Sequence, residues 1–517
     1  MNLAILAEEA AARFGERKTL VFEGEAVTNW QILKRARQLQ RAFAELGLGR
    51  DKNAALCMVN SPLVHSVFGG IFRTGATAVP VMFQLTAAEL RYIFADTAAY
   101  SIITDATLIG KVREAVAGLA HIQWIAVAGG ENCPEATPPE YALEDLLNAD
   151  EQTEIPQIDE EDVAVMLYTS GTTGRPKGVM LTHGILLASA ETVVEAYELP
   201  LKKPPMIMLT ALPLAHIYGL GMLNSSYLYP TEFADSFSVV FRWFDPERFL
   251  QAIQDYRCTD MSVVPTMLAY LLNHPKFDEF DLSSLVLANV GAAPLPEELA
   301  KRFMDKTGAR IRQLYGMTEN AGIGTCDRPS KPYHPQSAGL PYAAVELRIV
   351  DENDNFLPPN VAGEIVTRGR TTMKGYFKQP EATAETLRNG WLHTGDIGYL
   401  DDEGWLYVVD RKKDMIIRGG ENIYPAEIEQ VLYQYEAIAE AAVVGVPDAV
   451  FGESVVAFVV KKAGAELDEE GLMNYLRQQI TSFKCPQKIY FVEALPKSGV
   501  GKILRRELRD QARQVEK

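Results

Sequence analysis

The sequence predicts an α/β protein in two unequal parts. Residues 1–410 are read as a large domain of layered α/β subdomains with a small β-barrel-like subdomain, and residues 411–517 as a small α+β domain. Three observations carry this reading. Through about residue 330, short apolar runs alternate with helical stretches, the pattern of largely parallel strands covered by helices. From about residue 337 the texture changes to alternating strands between turns. From Arg411 onward acidic and basic residues are equal in number, so the whole net charge of −18 lies in the first 410 residues.

The elements follow in order. Leu3, Leu6, Ala7, Ala10 and Phe14 share one helical face and predict an N-terminal amphipathic helix. Apolar runs at Ile102–Thr104, Ile122–Val127, Val163–Thr169, Met206–Leu212 and Val286–Val290 read as strands. The stretch Gly129–Gln157, rich in Pro, Glu and Asp, reads as a surface connection. Val345–Val350, Gly363–Arg368 and Trp405–Val409 alternate as antiparallel strands do, with turns such as Asp351–Asn355 and Asp401–Gly404 between them. In the last part a helix opens at Pro425 with two early glutamates, and strands are expected at Ala442–Val446 and Val455–Val460.

Composition narrows the class. At 517 residues, 47% hydrophobic and 23% charged, the chain is globular, with length for roughly three structural units. The longest mainly apolar stretch, Val64–Phe83, is broken by His65 and Arg73, so no membrane-spanning helix is expected. The start lacks a basic segment followed by an apolar run, so no secretory signal is read there. Five scattered cysteines, none in Cys-x-x-Cys spacing, suggest neither a disulfide framework nor a zinc site, and a reducing cytoplasm fits them. The acidic balance argues against nucleic-acid partners. A homodimer is compatible with all of this.

The densest chemical signal is Tyr168-Thr-Ser-Gly-Thr-Thr-Gly-Arg-Pro-Lys-Gly178. An apolar strand runs into a loop of hydroxyls (Thr169, Ser170, Thr172, Thr173), glycines (Gly171, Gly174) and Lys177. Glycines let backbone N–H groups approach an anion, and hydroxyls and lysine add donors, so a polyphosphate is the fitting ligand. It is not the ordinary phosphate loop, because Pro176 precedes Lys177 and Gly178 follows it. In Tyr315-Gly-Met-Thr-Glu319, Tyr315 offers a flat face to a base, Thr318 a donor to a phosphate and Glu319 a hard oxygen ligand for magnesium. Asp396 can grip the two hydroxyls of a ribose, and Arg411 can donate to the same sugar.

With Leu212-Pro-Leu-Ala-His-Ile-Tyr-Gly219, Val290-Gly-Ala-Ala-Pro294, Trp391–Asp396, Asp410–Asp414, Gly419–Pro425 and Pro496–Lys502, the chain resembles the adenylate-forming family. That family includes acyl-CoA synthetases, 4-coumarate:CoA ligases, firefly luciferase and peptide-synthetase adenylation domains, and the likeness to bacterial fatty-acid:CoA ligases is the nearest. It implies ATP, Mg2+ and coenzyme A, with Glu319 and Thr173 toward the metal. It implies that Gly291, Ala292, Ala293, Gly316 and Met317 line the nucleotide and acyl-adenylate. The resemblance implies too that His216 gates the acyl tunnel and helps bind the carboxylate or its activated ester, and that Lys502 stabilises charge as the acid attacks the α-phosphate. It further implies that the C-terminal domain is mobile about a hinge near 411–414 that includes Lys413, with Gly419 and Gly420 lining a pantetheine passage.

For the acid, the expected pocket is Leu214, Tyr218, Gly219, Val263, Asn289, Gly291, Leu314, Gly322 and Ile323. It is mainly apolar and offers no basic partner to a second carboxylate. Acetate-using relatives carry a bulky aromatic where Gly316 stands, and glycine is read as leaving the pocket open. A medium- or long-chain fatty acid is the expected substrate. An aryl acid of the 4-coumarate kind is the alternative, although plant-type relatives carry a small residue where Leu314 stands. A stand-alone enzyme loading a carrier protein is the remaining catalytic reading. A nucleotide sensor is opposed by the intact Lys502, Glu319 and Asp396.

Overall fold

The computed structural model describes residues 2–169, 175–198, 203–418, 421–448, 450–462, 464–498 and 502–515. The opening helix, Leu3–Phe14, is started by Asn2, whose side chain accepts from the Ile5 N–H. Helices Asn29–Glu45 and Ala87–Asp96 both begin with a complete capping box, Thr28 with Gln31 and Thr86 with Glu89. In each, two otherwise unpaired backbone donors find side-chain acceptors.

Two large sheets form the body. In one, the parallel strands Asn53–Cys57, Thr77–Pro80, Ser101–Asp105 and Trp124–Ala128 continue into the antiparallel pair Val163–Thr169 and Lys177–Thr182. In the other, Ile207–Thr210, Asp260–Val263, Leu287–Val290 and Arg310–Tyr315 run parallel side by side. The expected strands are present, and Val163–Thr169 and Val345–Val350 match residue for residue. The stretch Gly129–Gln157 is less loop-like than expected. It holds the strand Glu140–Ala142, parallel to Trp124–Ala128, and the short helix Leu143–Leu146. A three-residue strand is too short to show periodicity, and it forms because the sheet edge supplies its partner.

Beyond the body lies an antiparallel sheet in the order Val345–Val350, Gly363–Gly369, Leu392–Leu400, Leu406–Arg411. The last part builds its own sheet around the long pair Ile438–Asp448 and Gly452–Lys461, backed by helix Pro425–Tyr433. None of the described helices is long and apolar enough to cross a membrane.

Three N-terminal helices are locked together by charge. Glu8 accepts from Arg37 on both oxygens, at 3.0 and 2.6 Å, and from Arg73 on Oε1 at 2.6 Å. Arg73 is buried, and its remaining donors reach Gln40 and the carbonyls of Gln152 and Thr153. Burial works to raise the Glu8 carboxyl, but the two guanidinium groups outweigh it and hold it below its ordinary 4.5. Its contribution to stability is therefore full at neutral pH and is lost as the pH falls through that lowered value. Glu8→Ala leaves Arg73 charged, buried and short of its partner. It is expected to cost about 3 kcal/mol, read as a lower midpoint for the first transition in denaturant.

Candidate active site

Strand Arg310–Tyr315 delivers Tyr315 to a place where three parts of the chain meet. Its hydroxyl donates to Asp396 Oδ2 at 2.9 Å, and Arg411 Nε lies 3.1 Å from Asp396 Oδ1. Asp396 and Arg411 are cross-strand partners in the antiparallel sheet, so register alone sets them opposite each other. Burial, together with the Asp396 charge, pushes the Tyr315 hydroxyl well above its usual range. It stays a neutral donor, and the anchored hydroxyl fixes the plane of the ring.

After Tyr315 the chain doubles back through residues 316–323. Gly322 N–H donates to the Met317 carbonyl at 2.8 Å, and Met317 N–H donates to Asn320 Oδ1 at 2.9 Å. A Cβ on Gly316 would lie 2.3 Å from the Gly322 carbonyl oxygen. Gly316 is thus required for the loop to close on itself, a reason independent of how much room the acid has. This weakens the use of Gly316 as a sign of an open pocket.

Glu319 is buried within this loop, and Tyr376 donates to its Oε1 at 2.9 Å. Burial pushes the Glu319 carboxyl up, opposed by that hydrogen bond. Tyr376 also carries Lys177 over its ring, with Nζ 4.8 Å from the centroid. The strand Gly375–Tyr376 pairs with Lys177–Thr182, and that pairing places the three groups together. Tyr376 was not among the expected residues. No local signal marks it, since it meets Glu319 only through sheet pairing across 57 residues.

Thr318 is buried beside Glu319, and its hydroxyl has no hydrogen-bond partner among the described residues. His216 begins helix Ile217–Ser225, with Nδ1 accepting from the Tyr218 N–H at 3.2 Å. Burial, aided by the Lys502 charge, lowers the imidazole to about 4, so it is neutral at physiological pH. Lys502 itself is lowered to about 8 by burial and by Arg411 and Lys413, with Asp396 partly offsetting them. Lys502 thus comes into the fields of Asp396, Arg411 and His216. Lys497 reaches the body as well, with Nζ 3.3 Å from the Tyr270 hydroxyl and 2.6 Å from Glu440.

On the acid side, Tyr218 donates to the Asn289 carbonyl at 3.1 Å. Gly291 faces Leu314 and Tyr218, since a Cβ there would lie 3.3 Å from Leu314 Cβ and 3.6 Å from the Tyr218 ring. Ala292 holds a left-handed φ of 70° beside Ala293, and Gly322 one of 79°. Gly219 allows its helix to approach the Pro213 carbonyl. Ile323 is buried with Tyr342 and Leu314. Val263 follows Ser262 by one residue and so faces the opposite side of the sheet from Asn289, in a core with Leu268 and Ala288. A basic group does lie on Asn289's side, the buried Arg312. It donates to the Ala196 carbonyl at 3.0 Å and lies over the Tyr197 ring, which ties it to the end of helix His183–Ala196.

Lys413 is exposed, flanked by Asp410, which accepts from the Ala426 N–H, and Asp414, paired with Arg509 at 2.6 Å. Thr169 ends its strand. Ser170, Gly171, Thr172, Thr173, Gly174, Gly419 and Gly420 lie outside the described residues.

The family model of AMP-binding enzymes matches residues 7–377, and that of the AMP-binding enzyme C-terminal domain matches residues 427–502. The chain belongs to the AMP-binding enzyme family. A long-chain-fatty-acid–CoA ligase of Escherichia coli O6:H1 is 36% identical over 99% of this chain and 95% of its own. A feruloyl-CoA synthase of Amycolatopsis sp is 37% identical over 96% of each chain. The solved anthranilate CoA ligase in complex with anthranoyl-AMP superposes with a TM-score of 0.90, at 26% identity, over 99% of this chain and 97% of that one.

As an AMP-binding enzyme of this kind the chain is an AMP-forming acid–CoA ligase that uses ATP, Mg2+ and coenzyme A. Glu319 fits a magnesium ion, which takes one or two carboxylates and fills its other positions with phosphate oxygens and water. Among the described residues no three His, Cys, Asp or Glu side chains converge, so phosphates and water would supply the rest. Tyr376→Phe removes the donor that orients Glu319 and leaves its ring in place. It is expected to raise the magnesium concentration for half-maximal pyrophosphate release by roughly tenfold, measured by titration at fixed ATP.

Proposed function

We propose that the chain is a medium- or long-chain fatty acid:CoA ligase, cytoplasmic, with residues 1–410 as the adenylation core and 411–517 as a lid that moves about Lys413. The observation that carries the choice of acid is a cavity of about 50 Å³ behind the Leu212–Gly219 segment. Gly219 and Met222 of helix Ile217–Ser225, with Ser226 just after it, form one wall, and Thr210, Ser238 and Val240 of the sheet form another. Thr210 pairs with Ser262, and Ser262 with Asn289. The cavity therefore lies on the same sheet face as Asn289, two strands away, or roughly 10 Å. A carboxylate near His216 and Gly291 would send its tail along this face. Leu314 stands across from Gly291, within 3.3 Å of where a Cβ would lie, and narrows the passage there.

In the first half-reaction a carboxylate oxygen attacks the α-phosphorus of ATP, and pyrophosphate leaves. Tyr315 stacks on adenine, and Asp396 and Arg411 hold the ribose, each Asp396 oxygen keeping a second lone pair free. Lys177 and the loop before it bind the phosphates. Thr318 donates to the α-phosphate, Glu319 holds the metal, and Lys502 lies where negative charge gathers between carboxylate and phosphate. In the second half-reaction the thiolate of coenzyme A attacks the acyl carbon and AMP leaves. Lys502 would be withdrawn with the lid, and Gly419 and Gly420 would border the thiol's path. The five described cysteines are all free, in keeping with a reducing compartment.

Three measurements test this. Across acetate, octanoate, dodecanoate, hexadecanoate and 4-coumarate, pyrophosphate release and acyl-CoA formation should be highest for the longer alkyl acids and at least roughly tenfold lower for acetate. A 4-coumarate optimum would overturn the choice of acid. Lys502→Ala should lower adenylate formation by roughly a hundredfold or more, while thioester formation from supplied acyl-AMP persists. Equal loss in both halves would overturn the moving lid. A lysine acts here as a cation, so kcat/KM for adenylation should fall as the pH rises through about 8. Lys502→Arg should remove that alkaline limb.

A further inference from the structure

The cavity behind Gly219 has a neighbour. A second one, of about 30 Å³, lies among the helices Leu3–Phe14, Asn29–Glu45 and Pro62–Thr74. The two share the walls Thr19, Asn29, Ile32, His65 and Tyr227, so they lie side by side. Asn29 is held in place at both ends of its amide, accepting from the Arg17 N–H and donating to the Gly15 carbonyl. His65 is different. Its ring has no hydrogen bond among the described residues, and burial alone lowers it to about 4, which keeps it neutral. Two turns along the same helix, Arg73 carries the charge network that joins the N-terminal helices. His65 takes no part in that network.

The space beyond His65 is apolar on several sides. Leu3, Ala7, Ala10 and Leu33 line it, Gly69, one turn from His65, adds no side chain, and the two arginines at its border, Arg17 and Arg73, have their guanidinium groups tied to carbonyls and to Glu8. An alkyl chain could occupy it if the imidazole were out of the way. On the near side Met222 and Leu212 border the approach from the Gly219 turn.

We infer that His65 sets the limit of acyl chain length, standing as the stop between a cavity that the chain fills and a second one that it does not reach. This rests on the fatty-acid reading above. With no hydrogen-bond partner for the imidazole among the described residues, its size is what the chain meets. A smaller residue at 65 joins the two cavities, and a larger apolar one shortens the first.

The test compares the parent enzyme with His65→Ala and His65→Phe, using kcat/KM for acyl-CoA formation from octanoate, dodecanoate and hexadecanoate. The readout is the ratio of hexadecanoate to octanoate within each protein. Partial loss of folded enzyme scales both acids together and leaves the ratio where it was. His65→Ala should raise the ratio roughly tenfold, and His65→Phe should lower it by a similar factor. Two variants moving in opposite directions cannot both arise from damage to the fold. Ratios within about twofold of the parent in both variants would overturn the inference while leaving the fatty-acid reading intact. A parent enzyme that makes no thioester from any straight-chain acid would overturn the reading itself, and the inference with it.

Discussion

The site is organised by one buried carboxylate with two donors. Asp396 has Tyr315 on one oxygen and Arg411 on the other, and these side chains come from three separate strands. A buried carboxylate without partners would be expensive. Satisfying it requires the parallel sheet of the body and the antiparallel sheet beyond it to meet in one arrangement. That arrangement positions the tyrosine face and the guanidinium, and it sets the field into which Lys502 comes. The surface proposed to receive ATP is thus a by-product of pairing one charge.

The electrostatics around this centre are uneven by design of position. The body carries the whole net negative charge of the chain, yet Lys502 lies in the field of Arg411 and Lys413, and Lys177 stands over the ring of Tyr376, the partner of Glu319. Burial first, and then crowding with Arg411 and Lys413, depresses the Lys502 ammonium. A triphosphate would relieve that crowding on arrival, so the substrate itself helps to keep the lysine charged. His216 sits under the same field and responds in the opposite functional sense. It is held neutral, with Nδ1 committed to the backbone, and can offer a proton only from Nε2.

Much of the fold was legible because burial and periodicity coincide. Val345–Val350 alternates on a half-exposed sheet, and Val163–Thr169 is an apolar run between turn signals, so both were found without error. Elements defined by their partners were not legible. Glu140–Ala142 is a strand only because Trp124–Ala128 lies beside it. In the site the motif residues Tyr315, Glu319, Asp396, Arg411 and Lys502 were visible as residue types whose chemistry matched a nucleotide. Tyr376 and the Lys497–Tyr270 contact were invisible, since each depends on chain segments brought together by topology. Arg312 was passed over because a strand residue shows its face only once register is known.

Gly316 has a consequence for how such an enzyme can change. The turn that follows Tyr315 closes backbone against backbone, with the Gly322 carbonyl occupying the place of any side chain at 316. A side chain at that position requires the turn itself to move, because in this arrangement the first added carbon already collides with the Gly322 carbonyl. A change of acid that keeps this turn acts instead on walls that are made of side chains, such as Leu314, Met222 and His65. The nucleotide end of the molecule is in this sense frozen by main-chain geometry, while the acyl end remains free to drift.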